Sequence, residues 1–324
     1  MIKISYLDFW CETKNSPVKI DEIDCINVWN NLLLSRDLVK INNGVGLFHI
    51  DHLSKILNKN LIVTNPESAD LIICSIFGNM KYLYPNTKKI LLSFESKKLP
   101  FENLPNTIYF SSFLKANNND FYYLPLYTCY YGFKIYDLFT KPRQIISEDE
   151  FNKKQNCISI ISNNNGSFRN VFLDKLICKL PIDNYGKYRH NKDNNIIQSS
   201  CWYDKRLCNI INTYKFMICM ENTSMNGYHT EKIMHGFRNN IIPIYWGDPV
   251  CQVIFNPNAY INVNSMGIDN AINKILELCN NFNDYNKMLS EPILHDKSVL
   301  HHEQFKHFLY EENFVKKINH FFNI

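Results

Sequence analysis

The sequence predicts an α/β protein built from two domains, each with a parallel sheet. Three observations carry that expectation. Short β-rich runs alternate with helix-like stretches, the mark of parallel βαβ units and a doubly wound sheet. The alternation occurs in two sets, separated by a stretch rich in proline, aromatics and charge at about 122–150. A chain of 324 residues has the length of two domains.

The first set reads as strands at 2–6, 61–64, 71–76 and 89–94, with 107–111 as a further strand. Between the first two lies a helix-like segment at 25–34, with Ile26, Val28, Trp29 and Leu32 as apolar positions. The second set opens with a strand at 157–162, a polar loop at 163–166 and a helix from about 167 to 180. Phe168, Val171, Phe172, Leu176 and Ile177 are its expected inner face. A buried strand at 216–220 leads into a loop at 221–229, then a helix starting near Thr230-Glu231-Lys232 that buries Ile233, Met234 and Phe237. A short strand at 241–247 completes the unit, its Pro243 expected at the strand start or on a sheet edge. A helical stretch at about 299–322 ends the chain. The domains expected are 1–145, 146–296 and a C-terminal helical segment at 297–324.

Composition narrows the function classes. Hydrophobic residues make up 45% and aromatics 14%, enough for large cores and incompatible with global disorder or a collagen-like repeat. The 35 basic residues against 31 acidic give a net charge of only +4, so no nucleic-acid partner is expected. Eleven cysteines without a C-x-x-C or a Cys/His zinc spacing read as reduced thiols. No signal peptide, membrane anchor or transmembrane segment is legible, so the expected setting is cytoplasmic or otherwise soluble and intracellular. The frequent asparagines, including the sequons at Asn165 and Asn222, follow from an Asn-, Ile- and Lys-rich composition.

Three positions could carry chemistry. In open parallel sheets ligands bind beyond the carboxyl ends of the strands, which puts the 221–232 loop and helix start first. Lys232 stands where the helix dipole disfavours a cation, a conflict an anionic ligand relieves. The other reading is a solvated lysine beside Glu231. Arg169 opens the helix after the 163–166 loop and either forks a phosphate or lies exposed on the helix surface. Glu95, just past the strand at 89–94, is either a general base facing an interdomain cleft or a surface carboxylate beside Lys97 and Lys98. His302-Glu303 with His307 has H-E-x-x-x-H spacing, one residue too long for a zinc-protease helix. No Gly-x-Gly-x-x-Gly or Walker sequence is present.

Taken together these residues resemble a known family. Glu221-Asn222-Thr223, Gly227-Tyr228-His229-Thr230-Glu231-Lys232 and Ile242-Pro243-Ile244-Tyr245-Trp246-Gly247 are similar to the donor-binding motif of the α1,3/4-fucosyltransferases, glycosyltransferase family GT10. Phe94-Glu95-Ser96, Leu124-Pro125-Leu126-Tyr127 and Ser167-Phe168-Arg169-Asn170 match further family segments in order. The lack of a Golgi-type anchor makes the resemblance closest to the soluble bacterial type.

The resemblance implies the GT-B fold, two Rossmann-like domains facing across a cleft; the helical stretch at about 299–322 is itself expected to pack back across the molecule. It implies inverting transfer of fucose from GDP-fucose to an oligosaccharide hydroxyl, the acceptor being N-acetyllactosamine-like. Arg169 and Lys232 then bind the diphosphate, Asn222, Tyr228 and Glu231 contact the nucleotide sugar, and Glu95 is the base. No cofactor and no metal site is implied; a divalent ion could stimulate the reaction, and metal dependence is left open. Linkage and oligomeric state are left open. Lys97 stands where the family often has proline, which sets the acceptor side apart.

Overall fold

The structure is a computed structural model and describes residues 1–7, 48, 50–76, 79–94, 104–111, 121–131, 142–199, 205–294 and 311–322. The helix expected at 25–34, Glu95 and the 301–307 segment lie outside these residues. The chain divides into two compact units, one formed by Met1–Ile135 with Glu303–Ile324 and the other by Tyr136–His302.

The first unit holds a six-stranded sheet in the order β2-β1-β3-β4-β5-β6. Its strands are β1 (Ile2–Leu7), β2 (Leu61–Val63), β3 (Leu71–Ser75), β4 (Lys88–Ser93), β5 (Thr107–Ser111) and β6 (Phe121–Tyr123). Every neighbouring pair is parallel. Helix α1 (Ile50–Leu57) precedes β2. β3 and β5 are buried at every residue, and β4 at all but its first. That accounts for their continuous apolar runs, because a strand covered on both faces cannot alternate. The stretch beginning at Tyr122, expected as a connection between domains, supplies the edge strand β6 and helix α2 (Leu126–Tyr131). Three residues are too few to show a strand period.

The second unit opens with a segment anchored by Arg143. Its guanidinium donates to the carbonyls of Ile241 (3.2 Å), Ala259 (2.7 Å) and Met288 (3.0 Å). Burial pulls this guanidinium down to about 10, so it stays charged at neutral pH. Helix α3 (Glu148–Lys153) follows, its N-terminus capped by Ser147, whose hydroxyl accepts from the Glu150 N–H.

The sheet runs β11-β10-β9-β7-β8, all parallel, from β7 (Gln155–Ser159), β8 (Ile182–Asn184), β9 (Tyr214–Ile218), β10 (Ile242–Tyr245) and β11 (Ile261–Asn262). Helices α4 (Ser167–Ile177), α5 (Lys205–Ile211), α6 (Lys232–Arg238), α7 (Ile268–Asn280) and α8 (Phe282–Ser290) belong to this unit, with shorter helical segments at Asn195–Ser199 and Val263–Met266. Its core joins Cys157, Phe172, Phe216, Ile244 and Ile275, among others.

Pro243 is not at the sheet edge, since β10 lies between β9 and β11. The Ile244 carbonyl accepts from Cys219 N–H, so the alternating backbone turns Pro243 toward β11. Because β11 begins opposite Ile244, no ladder bond is asked of the proline nitrogen.

Helix α9 (Glu311–Phe322) returns the chain to the first unit. Phe314 is fully buried there, with its ring 5.6 Å from Phe48 and 5.4 Å from Phe110 between centroids. Among the described residues, no helix is long and apolar enough to cross a membrane.

Candidate functional site

In the second unit, three strand ends meet at the carboxyl edge of the sheet. β7 leads through Asn163–Gly166 into α4, β9 leads into Glu221, and β10 leads into Trp246-Gly247-Asp248. The Phe168 and Trp246 rings stack with centroids 4.4 Å apart and planes 11° from parallel, bringing the start of α4 against the end of β10.

Helix α4 turns Arg169 inward. The buried positions are 169, 172, 173 and 176, an i, i+3, i+4, i+7 stripe. Val171 and Ile177, expected on the inner face, are exposed instead, and Leu173 takes their place. Arg169 is only 4% exposed. Its Nη2 donates to the Asn163 carbonyl at 2.5 Å, and its Nε is buried with no acceptor. The guanidinium folds back over Gly166, where an added Cβ would lie 3.0 Å from both Nε and Nη2. A surface arginine is therefore excluded.

Lys232 is the first residue of α6, which spans only seven residues. Its ammonium is not simply solvated beside Glu231. It donates to Glu221 Oε2 and to Thr230 Oγ1, each at 2.9 Å, while Glu231 Oε1 stands 3.9 Å away. Burial works against the charge, but Glu221 and Glu231 overrule it and hold the lysine above its ordinary range.

Glu221 was not singled out by sequence reasoning, although it stands inside the quoted motif. It is fully buried and accepts from Thr230 N–H (2.9 Å), Thr230 Oγ1 (2.8 Å) and Lys232. The available signal was a carboxylate set directly behind an all-apolar strand, which must be paired if it is buried. Glu221 also reaches Arg169: burial lowers that guanidinium, and the Glu221 charge partly restores it. Lys232 is thus bonded to Glu221, and Arg169 lies within the field of the same carboxylate without a direct bond to it.

The remaining predicted residues surround this group. Tyr228 is buried in the loop that leads to Lys232. Glu231 is held below the usual carboxylate range, because Lys232 and His235 outweigh the opposing effect of burial. Asn222 is half-buried in the loop. Glu95 lies outside the described residues.

A second buried pair supports the loop. His229 Nε2 and Asp248 Oδ2 stand 2.7 Å apart with both side chains fully buried. Asp248 Oδ1 accepts from Gly227 N–H (2.8 Å) and Val250 N–H (3.0 Å), which ties the 227–229 turn to the segment after β10.

Residues 151–309 match the family model described as glycosyltransferase family 10 (fucosyltransferase), C-terminal part. The chain is 29% identical over 303 residues to the α-(1,3)-fucosyltransferase FucT of Helicobacter pylori, covering 82% of this chain and 60% of the relative. It is 31% identical over 85 residues to GDP-fucose protein O-fucosyltransferase 3 of Gallus gallus, covering 26% of this chain and 18% of the relative. The chain therefore spans less than two thirds of the length of these relatives. A solved crystal structure of an α1,3-fucosyltransferase with GDP-fucose superposes with a TM-score of 0.67 at 21% identity, over 100% of this chain and 90% of that one. The two parallel sheets have that structure's architecture, the GT-B fold. Residues 151–309 therefore carry the C-terminal domain of glycosyltransferase family 10, the fucosyltransferases, and the chain along its whole length shares the fold.

Proposed function

We propose that this chain is an inverting glycosyltransferase that moves L-fucose from GDP-fucose to a hydroxyl of an N-acetylglucosamine-containing glycan, as an α1,3-fucosyltransferase. The observation that carries the reading is two cations at the carboxyl edge of the second sheet, buried Arg169 at the start of α4 with an Nε that has no acceptor and Lys232 at the start of α6 held on Glu221. Fixed cations suit a diphosphate, and Arg169 has a buried Nε with no acceptor. In this reading both cations bind the diphosphate, aided by the N–H groups that open α4. Asn222, Tyr228 and Glu231 contact the rest of the nucleotide sugar.

The reaction then runs as a single displacement. Glu95 takes the proton from the acceptor hydroxyl as its oxygen bonds to fucose C1, and the bond from C1 to the phosphate oxygen breaks on the opposite face. Charge growing on departing GDP meets Arg169 and Lys232, already in place. The assay is GDP release from GDP-fucose with and without N-acetyllactosamine, run in EDTA and in magnesium to decide whether a metal adds to that charge.

Glu95→Ala is expected to cut turnover by about 10²–10⁴-fold with GDP affinity retained. Lys232→Ala is expected to weaken GDP binding as well. Normal turnover in the first variant removes Glu95 from the mechanism, and unchanged GDP affinity in the second removes Lys232 from the phosphate site. The short match to a protein O-fucosyltransferase favours one other acceptor class, a peptide hydroxyl. A folded-protein acceptor tested beside the glycan decides between them.

A further inference from the structure

Glu221 is costly for a structural residue. Its carboxylate is fully buried, and burying a charge is favourable only with strong compensation. A threonine held at a loop end needs no charge opposite it. The compensation comes from Lys232 at 2.9 Å and, over a longer range, from Arg169. Those are the two groups assigned to the diphosphate, and the role inferred for Glu221 rests on that donor-site reading.

The side chain is also fixed. Its backbone N–H donates to the Trp246 carbonyl at 2.8 Å. Its stem lies so close to Gly247 that a Cβ there would stand 2.5 Å from Glu221 Cγ and 2.8 Å from Glu221 Cβ. The glycine is required by close approach of the backbone. A carboxylate wedged in this way cannot swing aside when a ligand arrives.

We infer that Glu221 is the built-in counter-ion of the phosphate-binding cations, a positioning residue that holds Lys232 Nζ in place and competes with bound phosphate for it. The charges balance without a ligand: Arg169 and Lys232 are opposed by Glu221 and Glu231. A phosphate oxygen that reaches Lys232 comes within about 6 Å of Glu221, the sum of two hydrogen-bond lengths. The carboxylate therefore weakens ground-state binding while it aims the ammonium. After transfer GDP carries the added negative charge of the broken bond, so the same repulsion speeds its departure.

The test is GDP affinity by calorimetry, together with kcat and KM for GDP-fucose, in wild type, Glu221→Asp and Glu221→Gln. Glutamine keeps the size and an acceptor oxygen but removes the charge. Two charges about 6 Å apart at an effective dielectric near 20 correspond to roughly a hundredfold in affinity before screening, so a gain of about tenfold is expected. Aspartate keeps the charge but draws it back from Lys232, so its GDP affinity should fall between the other two. With slower product release, kcat and KM should fall together in the glutamine variant.

Support is the order glutamine tightest, aspartate next, wild type weakest. A residue that only supports the fold gives the reverse order, and that order, or equal affinities within about twofold, overturns the inference. If glutamine does not fold by circular dichroism, aspartate alone decides by binding GDP more or less tightly than wild type. Failure of wild type to bind GDP at all defeats the donor-site reading instead.

Discussion

Asp248 shows how much a single residue holds in this site. Burial by itself raises its carboxyl, but the facing His229 and the N–H groups of Val250 and Gly227 prevail and set it below the usual carboxylate range. Asparagine at this position removes the charge that two backbone N–H groups and His229 face, so Asp248→Asn should cost about 1–3 kcal/mol in urea denaturation at pH 7. The sign with pH comes from the lowered value. The unfolded carboxyl takes up a proton first as acid is added, so this contribution is complete above the ordinary carboxylate range. It is lost as pH falls through the lower folded value. The asparagine variant should lack that acid-sensitive part, and the wild-type and variant curves should converge in acid. Sequence reasoning reached Arg169 and Lys232 because each follows a strand and a loop, a position that gives a cation a purpose. It passed over Glu221, His229 and Asp248 because their roles come from burial, and burial of a polar residue is set by what packs over it.

At the scale of elements, apolar runs were readable, the three-residue β2 among them, and short mixed segments were not. β1, β3, β4, β5 and β10 were expected within a residue or two. β9 was placed about two residues late, because Tyr214 and Lys215 at its start interrupt the apolar run. β8 and β11, with three and two residues, have no period to detect and owe their place to the strands beside them. Pro243 misled for a related reason, since its tolerance depends on where the neighbouring strand begins.

Helix α6 carries a prediction of its own. His235 is half-buried on it, and burial lowers its imidazole to about 4, against partial restoration by Glu231. Its folded value lies below the unfolded one, so the unfolded chain binds the proton first. Stability from neutral His235 is present above about 6.5 and declines down to about 4, at no more than about 1.4 kcal/mol per pH unit. His235→Gln should flatten this part of the stability curve, measured by urea midpoints between pH 7 and pH 4. An unchanged slope means that the imidazole protonates freely in the folded state.

At the scale of the whole molecule, the chain leaves its first unit near Ile135 and comes back near Glu303. The return is not decorative, because α9 supplies core. Phe314 is fully buried and touches rings from two different parts of the first unit, Phe48 and the β5 residue Phe110, with Tyr122 of β6 at 6.3 Å between centroids. The Lys88 ammonium at the start of β4 donates to the Phe321 carbonyl at 3.0 Å, a second attachment near the far end of the helix. Sequence reasoning expected this helix to pack back across the molecule, but its partners depend on side chains more than 180 residues away and could not be read. Phe314→Ala removes a buried ring and should cost about 3–5 kcal/mol. That cost belongs to the first unit, since the aromatic partners of Phe314 among the described residues, Phe48, Phe110 and Tyr122, lie there. Amide hydrogen exchange locates it: protection should fall in β4, β5 and β6 while β7, β9 and β10 keep theirs. GDP affinity, assigned to the second unit, should stay within about twofold of wild type, whereas acceptor-dependent turnover should fall because Glu95 follows β4. Equal loss of protection in both sheets means that the two units unfold as one, and the C-terminal helix then stabilises the whole chain.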